Sequence, residues 1–162
     1  MAQQDYFLKL DGINGESQDD KHSSEIQLLS FSLGGTNQGA GGYGQGSGAA
    51  RSQVHDVSFT KRADTSTPAL LKACFTGKSI GDAVVTARKA GGDAPVEYLV
   101  IKLTEVFVTS YHTAAMDGND VAIESGSLNF SKIEYNYTPQ NADGTAGGTI
   151  TTGYDVKKNL GS

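Results

Sequence analysis

In three stretches of this chain the alternation of apolar and polar residues changes sides. In residues 25–33, Ile26 and Leu28 share one parity, whereas Leu29, Phe31 and Leu33 share the other. In residues 53–61, Val54 is followed out of step by Val57 and Phe59, and in residues 127–138 Leu128 and Phe130 give way to Ile133, Tyr135 and Tyr137. A strand puts successive side chains on opposite faces, so parity changes only where an extra residue is inserted or the chain passes from one packed layer to another. Bulges and sharp bends do this, and they let a sheet curl. The expected fold is mainly β, a β-barrel of two curled antiparallel sheets.

One segment breaks the β pattern. Residues 66–77 carry the only convincing helix signal: Thr67 is placed to accept a hydrogen bond from the first turn, Pro68 sits where a missing N–H costs nothing, and Gly77 suits the left-handed ending. Leu70, Leu71, Cys74 and Phe75 fall on one side at three- and four-residue spacings, which predicts one short helix lying on the barrel. Tyr6, Leu8 and Leu10 share a face of a first strand. Residues 83–89 and 96–110 form a hairpin, the second arm long and apolar on both faces, and residues 149–157 make a last strand. The 162 residues fit a single domain spanning 1–162.

Eight of the 21 glycines lie between Gly34 and Gly48, inside a stretch of Gly, Ala, Gln, Asn and Ser that runs over residues 34–52. Such a loop cannot bury enough apolar area to fold alone, so it is expected to order against another molecule. Its candidate contact residues are Gly34, Asn37, Gln38, Tyr43, Gln45 and Arg51.

Chemistry is sparse. Gly39, Gly41 and Gly44 match the spacing of a dinucleotide fingerprint but are followed by more glycine rather than a helix, so no cofactor is expected. His22, His55 and His112 are far apart, no second ligand stands at metal-site spacing, and His22 reads as a surface or capping residue. Nucleophile elbow, Walker and Cys/His signatures are missing, so no catalytic residue is named and an enzyme is not expected. A net charge of −5 without a basic patch argues against nucleic acid, and no apolar run is long enough for membrane insertion. The lone Cys74 allows no internal disulfide, and residues 1–5 lack the features of a secretory leader, so the chain is expected to be made in the cytosol.

Phe59-Thr60-Lys61, Asp64 and Ser66-Thr67-Pro68 lead into the helix; Gly77-Lys78, Arg88-Lys89-Ala90-Gly91-Gly92 and Val96-Glu97-Tyr98-Leu99 follow it. With residues 6–10, 15–17, 22–26, 128–130 and 153–156, these segments resemble the haemolysin-coregulated protein (Hcp) family, the tube subunit of bacterial type VI secretion. The resemblance implies a homo-hexamer whose rings stack into a hollow tube. It also implies a spike protein at the tip, a contractile sheath, effector proteins as cargo, a glycine-rich loop projecting toward the next ring, and secretion without a signal peptide. In such a tube Leu29, Phe31 and Leu33 would face the barrel interior, leaving Ser30 and Ser32 as candidate lumen contacts for cargo. A bacteriophage-like tail-tube protein and a stand-alone β-barrel ligand-binding module are the alternatives.

Overall fold

A computed structural model describes residues 4–37, 39, 52–89 and 94–161. The elements run β1 (Gln4–Leu10), β2 (Ile26–Ser32), β3 (Gly35–Asn37), β4 (Ser52–Val54), β5 (Val57–Arg62), α1 (Thr67–Thr76), β6 (Ala83–Lys89) and β7 (Val96–Thr104). They continue with β8 (Phe107–Ala114), β9 (Ile123–Asn129), β10 (Lys132–Tyr137), β11 (Ile150–Asp155) and β12 (Leu160–Gly161). Ten strands form one sheet in the order β12-β11-β10-β7-β6-β1-β2-β5-β9-β8, and β3 and β4 form a separate two-stranded ladder. The fold is mainly β with one short helix, as expected. The large sheet curls without closing, so β8 and β12 remain as edges.

The core lies on the concave side. Leu8 of β1, Ile26 of β2, Val57 of β5, Ile101 and Leu103 of β7 and Leu128 of β9 are at most 1% exposed and belong to one cluster. Burying such side chains is worth about 1.5–3 kcal/mol each, and no single flat sheet could gather strands so far apart in its order.

Each change of parity has a structural cause. The ladder between β2 and β5 shifts between Leu28 and Ser30, so Leu29 is the extra residue of a bulge and Phe31 returns to the side of Phe59. The slip at residues 54–57 is the break between β4 and β5, and that at residues 130–133 is the corner between β9 and β10. Leu29 and Leu33 do not reach the interior: they are 36% and 37% exposed, one on the bulge and the other past the end of β2. Phe31 alone of the three turns inward, where it meets Tyr6 edge-on at 5.4 Å.

The long strand expected over residues 96–110 is divided. Glu105 has φ 55°, and the chain turns there from β7, which pairs with β6 and β10, to β8, which pairs with β9 at the far edge. Residues 80 and 81 secure the corner, since Ile80 donates to the Val106 carbonyl at 2.9 Å and Val106 to that of Gly81 at 2.7 Å.

α1 packs against β8, with Leu70 and Ala73 buried, Leu71 and Cys74 half-buried, and Gly77 ending it at φ 67°. Two expectations fail here. Phe75 is 77% exposed on the opposite side, and the Thr67 hydroxyl does not cap the helix. That hydroxyl is taken up by a buried charge network described below.

Residues 11–25, between β1 and β2, fold back as a strap over the convex face. Backbone hydrogen bonds from Gly15 to Ser24 and from Ser17 to Glu25 shape it, at 2.8 and 3.0 Å. Phe7 has the convex parity of β1 yet is 2% exposed, because the strap covers it. His22 belongs to that cover at 7% exposure and is not the surface residue expected.

Candidate functional surface

The neighbours β2, β5, β9 and β8 present hydroxyls on their convex face. Register aligns Ser30 with Thr60, Ser125 and His112 in one row, and Ser32 with Ser58, Ser127 and Ser110 in the next. Between these rows the inward residues Phe31, Phe59, Gly126 and Tyr111 form the alternate line, which fixes the direction of the hydroxyls. Ser30, Ser32 and Ser58 are exposed, and Thr60, Ser125, Ser127 and Ser110 are half-buried by one another. Ser30 lies 2.6 Å from Thr60, and Ser110 2.6 Å from Ser127. At the rim the Thr109 hydroxyl donates to Asp56 at 2.6 Å, and the Asn129 amide donates to the same carboxylate at 3.0 Å.

The expected pair Ser30 and Ser32 therefore belongs to a wider plate. The other hydroxyls were missed because cross-strand neighbours are remote in sequence, although Val57-Ser58-Phe59-Thr60 carries the same alternation. A hydroxyl can donate and accept, and His112 is the one titratable side chain in these two rows, so the plate is polar with little fixed charge.

A charged network under α1 fixes the plate from behind. Lys61 and Glu124, both 0% exposed, lie 2.8 Å apart, and Lys61 also reaches Asp64 at 3.0 Å. Glu124 accepts from the hydroxyls of Thr67 at 2.6 Å, of Thr113 at 2.7 Å and of Tyr111. Burial raises the Glu124 carboxyl, but the hydrogen bonds from Lys61, Thr67, Tyr111 and Thr113 outweigh it and hold the group at about 2. Burial first, then the hydrogen bond to Glu124, pushes the Tyr111 phenol up. The network is enclosed and joins β5, β8, β9 and the start of α1.

The glycine-rich stretch of residues 34–52 is tied down at its two ends. Gly35–Asn37 pairs with Ser52–Val54, and His55 donates to the Gly34 carbonyl at 2.9 Å. Gly34 and Asn37 are exposed in this arm, and Ser52 lies 3.0 Å from the Tyr154 hydroxyl of β11. Gln38, Tyr43, Gln45 and Arg51 lie outside the described residues. Among the described residues no group of three or more His, Cys, Asp or Glu is gathered to hold a metal ion, and no helix is long and apolar enough to cross a membrane.

The family described as "Type VI secretion system effector, Hcp" matches residues 7–137. Protein hcp1 of Pseudomonas aeruginosa is 43% identical over 157 residues, covering 96% of this chain and 97% of its own. Among solved structures, a type six secretion system protein superimposes with a TM-score of 0.91 at 28% identity, covering 99% of this chain and 100% of the other. Hcp1 from Salmonella typhimurium gives 0.79 at 37% identity, with both chains covered in full. Matched along most of its length in both sequence and fold, the chain belongs to the Hcp family of type VI secretion.

Proposed function

We propose that this chain is the structural subunit of a type VI secretion inner tube, and that the convex hydroxyl plate of β2, β5, β9 and β8 forms its share of the lumen wall. Family membership supports the tube role, and the plate is the observation that carries the lumen assignment. Six copies would close a ring through unlike surfaces, as heterologous contacts do when the rotation permits, and rings would stack into a hollow tube. The role is structural rather than catalytic. Effector proteins travel inside, the spike caps the tip, the contractile sheath surrounds the wall, and the subunit is itself secreted from the cytoplasm.

Short hydroxyls suit such a wall. They hold cargo by many weak hydrogen bonds, each worth about 0.5–1.5 kcal/mol net, so that cargo is retained yet released. The arm that starts at Gly34 and Asn37 provides the contact between rings or subunits. Ser32→Gln tests the lumen reading, because Ser32 is exposed and outside the core. Rings should form normally on electron micrographs while retention of a purified cognate effector changes. Unchanged retention by intact rings rejects the assignment.

A further inference from the structure

Both ring nitrogens of His22 face carboxylates. Nδ1 lies 2.9 Å from Glu25 Oε2, within the strap, and Nε2 lies 2.7 Å from Glu97 Oε1 at the start of β7. The imidazole is stacked on the Phe7 ring, 4.4 Å between centroids and 9° from parallel, and is 7% exposed. A neutral imidazole has one N–H and one lone pair, so it satisfies one of these carboxylates and turns a lone pair on the other. Only the imidazolium donates to both.

The cation packed on Phe7 is already matched. Arg88 of β6 lies over Phe7, 5.0 Å from its centroid, and grips Asp19 of the strap through two nitrogens at 3.0 and 2.5 Å and Asp5 of β1 at 3.1 Å. Asp19 also accepts from the backbone of Lys21 and His22. The Arg88 end of the strap is thus a permanent ion pair, whereas the His22 end depends on a proton.

We propose that His22 is a proton-operated latch, which in its doubly protonated form fastens the strap to β7 and in its neutral form lets the strap end lift from Glu97 and Phe7. Imidazole is the side chain that changes charge in the pH range where proteins work, and losing one ring proton removes one of the two donors, so rising pH favours the open form. This inference is independent of the tube reading, since it concerns contacts within one chain.

The test uses the full chain at fixed concentration between pH 5.5 and 8.0. Over that range the melting temperature of the unmodified protein should fall by about 2–4 °C more than that of His22→Gln or Glu97→Gln. Hydrogen exchange, corrected for intrinsic rates, should also show residues 15–25 losing protection at least about five-fold toward pH 8.0 in the unmodified protein alone. His55 and His112 are common to all three proteins and cancel. If His22→Gln does not fold, Glu97→Gln carries the comparison. Parallel melting curves, or strap protection that ignores pH, overturn the latch.

Discussion

Lys61 is the residue on which most depends locally, because its ammonium is the only cation within hydrogen-bonding reach of the buried Glu124 carboxylate among the described residues. Removing one partner of such a pair leaves an uncompensated buried charge, and costs about 3–5 kcal/mol. Lys61→Met should lower stability by that amount in chemical denaturation at fixed protein concentration, and adding Glu124→Leu should restore part of it. A Lys61→Met variant as stable as the parent would show that the pair contributes little. The same carboxyl sets the acid limit. Its folded value of about 2 lies below the ordinary 4.5, so its contribution is complete above pH 4.5 and is lost as pH falls toward 2. Asp19, held at about 2 chiefly by its hydrogen bond from Arg88, acts in the same direction from the strap. Melting temperature should therefore drop steeply below pH 4.5, and less steeply in Glu124→Gln.

At the scale of elements, β9 joins the hydroxyl plate to the charged network. Ser125 and Ser127 point outward, Glu124 and Leu128 point inward, and Gly126 lies where a Cβ would meet Phe59 Cζ at 2.7 Å and Tyr111 Cδ2 at 3.1 Å. Gly126→Ala should cost about 1–3 kcal/mol by overpacking, and should loosen Tyr111 from Glu124. A midpoint unchanged within about 0.5 kcal/mol would mean that the Phe59 ring yields freely. These elements were unequally legible in the sequence. The slip after Leu28 identified a real bulge, because period-two alternation is local and a bulge is its simplest failure. It misplaced Leu29 and Leu33, since alternation says which residues share a face but not where a strand ends. The start of α1 was legible from Pro68 and its end from Gly77, whereas the true partner of the Thr67 hydroxyl, Glu124, is remote in sequence. Ser30 and Ser32 were readable one strand at a time, and the plate needed the register of four.

For the whole molecule, charge opposes the proposed assembly. Each chain carries −5, so the proposed ring of six would carry 6 × (−5) = −30, and stacking would bring two such rings face to face. At low ionic strength this repulsion reaches far, with a Debye length of about 30 Å at 0.01 M salt, and shrinks to about 10 Å at 0.1 M. Packing and hydrogen bonds across stacked ring faces would act at short range and be little screened. Light scattering from purified rings should therefore rise as salt is increased from 0.01 to 0.2 M, with longer tubes on micrographs at the higher value. The first increments should matter most, because the screening length changes fastest there. Scattering that falls steadily with added salt would mean that complementary charges across the ring faces, rather than net repulsion, govern stacking.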